Sequence, residues 1–321
     1  MDTPGLVRKV TYRPSAGSEL AFRAEKLAHS ERAKAIALAD GTAPETIKGQ
    51  TNEAAMLEFA ERLIGFRGQA GLISEEAGIP RIHAINTQRS ALPPLDLPAM
   101  PTPAAPERGH GAIRLGVEAG RLDGKAGLSI RLHPAYHDLL DPDEGFSRGA
   151  QIRFFDLGAS QRAGERWQVD HFMPVDIVSL APQQDWHRTA SWRVRFGLER
   201  PLGRDRRLGP LVAGGPGIAW SGERWMSYLY LDNMIFSNAD AERGWNAGSG
   251  GLAGLLLDAT PRARLHIEGG RRWLHHLQQN HASTRLRWQI GKDDNLTASA
   301  QWLKQNHATH KSAMLGWQRY F

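Results

Sequence analysis

The stretch SWRVRFGLER at residues 191–200 sets Trp192, Val194, Phe196 and Leu198 on one face of an extended chain, and Arg193, Arg195 and Glu199 on the other. Successive side chains of a strand point to opposite faces, so this spacing predicts a strand with one apolar and one charged surface. The pattern recurs. GAIRLGVEAG (111–120) separates Ile113, Leu115, Val117 and Ala119 from Arg114 and Glu118. LSIRLH (128–133) separates Leu128, Ile130 and Leu132 from Arg131 and His133. ARLHIEGG (263–270) sets Leu265 and Ile267 against Arg264, His266 and Glu268, and TRLRWQIG (284–291) sets Leu286, Trp288 and Ile290 against Arg285 and Arg287. NLTASAQWLK (295–304) alternates Leu296, Ala298, Ala300 and Trp302 with polar residues. KSAMLGWQRYF (311–321) lines up Ala313, Leu315, Trp317 and Phe321, with Arg319 as the exception on that face. With less regular segments at 149–158, 165–179, 210–221, 224–236 and 249–259, the pattern predicts about twelve strands, each near the ~9–11 residues that cross a bilayer when tilted.

What the apolar faces meet decides the class. No apolar run approaches the ~18 residues of a membrane helix, which excludes helical spans and leaves a β-barrel open. All ten Trp follow residue 160, and they recur near strand ends, as an interfacial girdle places them. The reading is a mainly β fold: an antiparallel up-and-down transmembrane β-barrel in the bacterial outer membrane, its apolar face on lipid. The rival is a soluble β-barrel binding protein, in which the same stripes form the core. Short connectors at 221–224, 259–262 and 291–294 fall at one end. Those at 200–209, 237–248, 271–281 and 305–310 fall at the other and read as longer outer loops.

The first part of the chain differs in kind. SERAKAIALADG (30–41) reads as a helix capped by Ser30 and stopped at Gly41. In TNEAAMLEFAERLIGF (51–66), Met56, Phe59, Ala60, Leu63 and Ile64 form one apolar stripe, and Glu58 to Arg62 is an i,i+4 pair. ALPPLDLPAMPTPAAPERG (91–109) has too many prolines for a helix or a central strand and reads as an extended linker. The expected organisation is a small helical periplasmic domain at 1–90, the linker at 91–109 and the barrel at 110–321. The start, MDTPGLVRKVTYRPS, lacks the apolar core of an export signal, so the expectation is either a cytosolic protein or a fragment or mature form whose signal lay upstream.

Candidate chemistry is sparse. The chain has no Cys, which excludes a thiolate nucleophile, a thiolate metal site and disulfides. A net charge of +6 permits anionic partners, but no basic helix or RNA-binding motif makes nucleic acid one of them. The polar barrel face carries Arg114, Glu118, Arg131, His133, Arg153, Arg193, Arg195, Glu199, Arg264, His266, Glu268, Arg285 and Arg287. These are either an internal ion-pair network filling a narrow barrel, or the lining of an anion-selective pore or an acidic-ligand site. PAYHDLLDPDEG (134–145) reads as a structured periplasmic turn that docks a second domain through His137, Asp138 and Asp141; its acids lack the order of a calcium loop. His275, His276 and His281 read as solvated loop residues, and no metal or cofactor is expected. His281 and Ser283 share a strand face, which keeps open an outer-membrane acyl hydrolase, since outer-membrane phospholipase works with a His and Ser pair on its outer face. AGGPGIAW (213–220) lacks the ending of a phosphate loop, so its glycines mark a bend or a close approach.

The last strand, with its alternating apolar residues and C-terminal Phe, resembles the ending of outer-membrane barrels. That resemblance implies Trp317, Tyr320 and Phe321 as a signal read by the barrel-assembly machinery. More widely, VTYRPS (10–15), RGHGAIRLGVEAG (108–120), PAYHDLLDPDEGF, GAQIRFFDLG (149–158), VDIVSLAP (175–182), SWRVRFG and AGGPGIAW together resemble an uncharacterised family of Gram-negative envelope proteins. Its members carry a periplasmic domain related to the lipoprotein transacylase Lnb, a helical linking domain and a C-terminal barrel. The resemblance implies that the Cys-dependent catalytic domain lies upstream or on a separate chain. This chain is then non-catalytic, anchoring or partnering that domain in the periplasm, with a narrow channel as a further expectation.

Overall fold

The structure, a computed structural model, describes residues 13–96, 99–102, 104–105, 108–134, 136–200, 208–237, 244–275, 277–305 and 308–321. His276 and most of the connectors 200–209 and 237–248 lie outside the described residues. The chain forms two compact units, 1–105 and 106–321.

The first unit holds α1 (Ala16–Glu25), α2 (His29–Ala39), a 3₁₀ turn (Pro44–Ile47), α3 (Glu53–Gln69) and α4 (Glu75–Ser90). The apolar stripe of α3 is its core: Met56, Leu57, Phe59, Ala60, Leu63 and Ile64 are buried with Leu20, Leu38, Ile47 and Ile85. Glu58 does not make the expected pair with Arg62. It bridges α1 and α4 instead, accepting from Arg23 and Arg89 at 2.8–3.0 Å. Ser30 lies inside α2, whose N-cap is Ala28, and Glu31 accepts from the Ala28 N–H at 2.8 Å. Gly41 closes α2 as expected, with φ +112°.

The second unit is a barrel. Its strands are β1 (Arg114–Leu122), β2 (Lys125–His133), β3 (Tyr136–His137), β4 (Ala150–Arg162), β5 (Gln168–Ser179), β6 (Ser191–Glu199) and β7 (Gly209–Ser221). They continue with β8 (Trp225–Leu231), β9 (Asn233–Phe236), β10 (Asn246–Thr260), β11 (Ala263–Leu274), β12 (Leu277–Gln289), β13 (Asp294–Gln305) and β14 (Ala308–Tyr320). β8 and β9 are two halves of one stave, interrupted at Asp232, and both lie between β7 and β10. β3 is an off-path strand paired to β4. The wall therefore has twelve staves, every neighbour pair antiparallel. The first and last close it, from Arg114 opposite Tyr320 to Leu122 opposite Ser312. Closure removes the free edges that an open sheet would expose.

The outward face is apolar and uncovered. Val117, Leu128, Ile130, Leu132, Phe196, Val212, Leu229, Ile235, Ile267, Leu296 and Leu315 are exposed around the circumference, Leu315 at 70 %. An apolar band of that extent has no counterpart on monomeric soluble proteins, and it is the lipid-facing surface of a transmembrane barrel. Trp192, Trp220, Trp225, Trp273 and Trp288 lie at or next to strand ends and are exposed, which forms the expected girdle. Arg319 shares this face, but it lies 3.7 Å from Asp294 and over the Phe321 ring, at the strand end where a charge reaches the headgroups.

One irregularity preserves this sidedness. Strict alternation from Ile152 and Phe154 would aim Asp156 at lipid. Phe155 instead adopts φ +57°, opposite Pro174, so both strands break phase together. Phe155 stays outside, while Asp156 and Met173 turn in and are buried. Two connectors are shorter than the sequence predicts. β11 and β12 run on to Leu274 and from Leu277, and β13 and β14 meet across 306–307, because inward pairings extend the ladders into the expected loops.

Candidate functional site: the barrel interior

The interior wall is divided. On β7 to β10 it is apolar and aromatic: Met226, Tyr228, Tyr230, Met234, Phe236, Leu211, Leu252 and Leu256 are buried. Tyr228 lies across Gly254 and Tyr230 across Gly217, positions where a Cβ would collide with the ring. The glycines of AGGPGIAW thus allow the close approach their sequence implies. Elsewhere the wall is charged, and it carries the lumen residues marked in the sequence.

Residues 134–149, between β2 and β4, fold into this interior. They were expected to form a turn that docks a second domain, but the side chains of His137, Asp138 and Asp141 are buried. The reason is charge. Asp138 lies 3.6 Å from Arg285 and 3.8 Å from Arg114. Asp141 pairs with Arg287, lies 3.9 Å from Arg114 and accepts from the Tyr320 hydroxyl. Asp143 receives both Nη atoms of Arg264 at 2.8–2.9 Å. Arg264 also donates to the carbonyl oxygens of Leu139 and Asp141. Between these acids, Leu139 and Leu140 turn to the apolar wall and cluster with Val178, Met226, Tyr228 and Tyr230. The tip is locked on itself: Asp138 N–H donates to Asp141 Oδ2 at 2.7 Å, and Leu140 N–H to Asp138 Oδ1 at 3.0 Å. A buried charge is tolerable only when paired, so the turn and the arginine wall each supply what the other needs.

Further charges pair within the wall. Asp156 meets His171 at 2.9 Å, His133 at 3.1 Å and Arg153 at 3.4 Å, and Arg153 also pairs with Asp176. Glu268 accepts from Tyr228 at 2.8 Å beside Arg193, and Tyr228 reaches His266 at 2.7 Å. Arg195 meets Glu199 at 2.9 Å, Arg272 meets Asp232 at 2.5 Å, and Glu118 accepts from Thr297 at 3.5 Å. Arg131 lines two cavities of the interior. The larger, of about 370 Å³, runs from Asp123, Arg162 and Glu165 at one rim to Asp138 and Leu140 of the inward segment. The second, of about 270 Å³, lies among Arg193, Arg195, Glu268 and Arg272.

His281 and Ser283 line this second cavity. They lie on β12, not in a loop, and the strand's parity turns them inward with Arg285 and Arg287. They are therefore remote from the lipid face that a phospholipase-like pair would need. Trp317 and Phe321 face outward, whereas Tyr320 faces in and joins the Asp141 network.

Sequence reasoning missed His110. It stacks on His137 and Phe146, with ring centroids 5.5 and 5.0 Å away, and lies tilted against Tyr320 at 4.1 Å. Burial pushes both imidazoles, His110 and His137, down to about 4, which keeps them neutral near pH 7. Tyr228, Asp232, Asp156, Asp176 and Arg272 were also missed, the last because its surroundings read as a loop.

Several solved structures are similar to the barrel. The NanC porin shares 10% identity at a TM-score of 0.41, covering 64% of this chain and 100% of that one. An outer-membrane channel from Pseudomonas putida F1 shares 13% at 0.40, covering 72% and 100%. The KdgM porin in complex with disordered oligogalacturonate shares 10% at 0.38, covering 65% and 99%. No curated protein matches the sequence. Residues 10–100 match a domain of unknown function (DUF7842). Residues 103–320 match another domain of unknown function (DUF7840), and with most of its length inside that match, the chain belongs to the DUF7840 family.

Proposed function

We propose that this chain is a closed outer-membrane barrel that anchors a periplasmic envelope-modifying unit, and that an Lnb-like domain is that unit. The observation that carries the reading is the inward segment. Asp138, Asp141 and Asp143 occupy, as counter-ions, the space beside the arginine wall that a diffusion pore fills with water. On this reading the rim bearing Arg114 and Tyr320 faces the periplasm, together with the helical unit. The barrel then contributes attachment to lipid, and chemistry belongs to the partner.

A second reading, a narrow channel, is favoured by the two cavities, and conductance separates the two. In planar bilayers the purified protein is expected to show no steady conductance. A variant with 138–143 replaced by a Gly-Ser linker of equal length is expected to conduct. Steady conductance of the unaltered protein would replace the anchor with the channel. The partnership is tested by fractionation: an Lnb-like protein of the same cell should leave the outer-membrane fraction when this chain is deleted, and its retention there would sink the pairing.

A further inference from the structure

We propose that His110, His137 and Asp141 bind one divalent transition-metal ion of the zinc class, which clasps the inward segment to the residues that lead into β1. The three donor atoms converge. His110 Nε2 lies 3.2 Å from His137 Nδ1 and 3.3 Å from Asp141 Oδ2, and the last two are 3.9 Å apart. A point about 2 Å from all three exists, which is the bond length zinc takes to imidazole nitrogen and carboxylate oxygen. All three groups are donors of the kind this class of metal selects, and the set has too few oxygens for calcium or magnesium.

The surroundings orient each donor. His110 Nδ1 contacts the Gly111 carbonyl oxygen at 2.8 Å. A carbonyl only accepts, so Nδ1 carries the hydrogen, and the lone pair on Nε2 points at the other two donors. Asp141 is held by its far oxygen: Arg287 and the Tyr320 hydroxyl bind Oδ1, leaving Oδ2 toward the imidazoles, where it also accepts from the Asp138 N–H. Ligands steered from behind in this way are the usual support of a protein metal site. Phe146 stacks on both imidazoles, and Tyr320 lies tilted against His110, which fixes their planes. The nearby guanidiniums of Arg114 and Arg287 oppose a second cation, and the carboxylates of Asp138 and Asp141 offset them. Three protein ligands leave a fourth position for water.

The test uses the full chain, refolded in detergent and stripped with chelator, with Co²⁺ as the probe. The expected result is uptake of one Co²⁺ per chain, with the visible absorption of a tetrahedral N/O site, displaced by Zn²⁺. His110→Ala and His137→Ala, each shown to be folded by the difference in gel mobility between boiled and unboiled samples, should abolish the band and weaken uptake at least about tenfold. His275→Ala and His310→Ala, at the opposite rim, should leave it unchanged. Failure of the unaltered protein to take up Co²⁺ stoichiometrically would overturn the site, whatever the variants do. So would a band retained by the folded His110→Ala/His137→Ala double variant.

Discussion

The two sides of the barrel interior meet the same segment in opposite ways. The wall of β7 to β10 receives Leu139 and Leu140 on Met226, Tyr228 and Tyr230. The wall that carries Arg114, Arg264, Arg285 and Arg287 receives Asp138, Asp141 and Asp143. One side is held by area removed from water and tolerates small changes of shape. The other is held by paired charges, each of which becomes a liability when its partner goes. A segment that alternates acids and leucines fits only an interior divided in this way.

Three substitutions sharpen that contrast. Asp141→Ala should be the most damaging, at about 3–5 kcal/mol, because it removes from a buried setting the carboxylate shared by Arg287, Arg114 and the Tyr320 hydroxyl. Denaturant unfolding of the refolded barrel measures it, and a loss below about 1 kcal/mol would mean that water already screens the charged side. Leu140→Ala should cost less, near the lower end of the roughly 2–5 kcal/mol of buried leucines, since it leaves a cavity but no orphaned charge. A cost above that of Asp141→Ala would reverse the ranking of the two walls. Tyr228→Phe should have the smallest effect, about 1–2 kcal/mol, through loss of the hydrogen bonds to Glu268 and His266. Tyr228 sits where the two walls join, so Tyr228→Phe combined with Leu140→Ala should cost less than the sum of the single losses if the bonded phenol and the leucine hold one another in place. Additivity in the double-mutant cycle would separate them.

The same contrast explains what could be read in advance. β1, β2, β6, β11, β12 and β13 have charged or polar interiors and lipid-facing exteriors, so their sequences alternate cleanly and spacing alone assigns their faces. β7 to β10 are apolar on both faces, and their alternation fades into the irregular segments at 210–221, 224–236 and 249–259. Phe155 and Pro174 break phase together, a device visible only once two strands are paired. In the helical unit, α3 announced itself by its stripe. α4 holds Gly78 and Pro80 and shows no comparable face, and α1 is short. From its length and its end of the barrel, the inward segment reads in the sequence as a periplasmic turn that docks another domain. Little that is local says otherwise: of the cations that draw it in, Arg264, Arg285 and Arg287 come from strands far along the chain.

That separation orders events in time. Asp143 and Arg264 are 121 positions apart, and Asp141 and Tyr320 are 179 apart. Residues 134–149 emerge between the second and third staves, yet apart from Arg114 of β1 their counter-ions arrive with β11 and β12, and the Tyr320 hydroxyl with β14. Until those staves are placed, Asp138 and Asp141 have Arg114 beside them but lack the rest of their counter-charge. Contacts of such long range form late, after the entropy of closing the chain has been spent. Seating of the segment and closure of the ring are thus one step, and a half-built barrel is an open one.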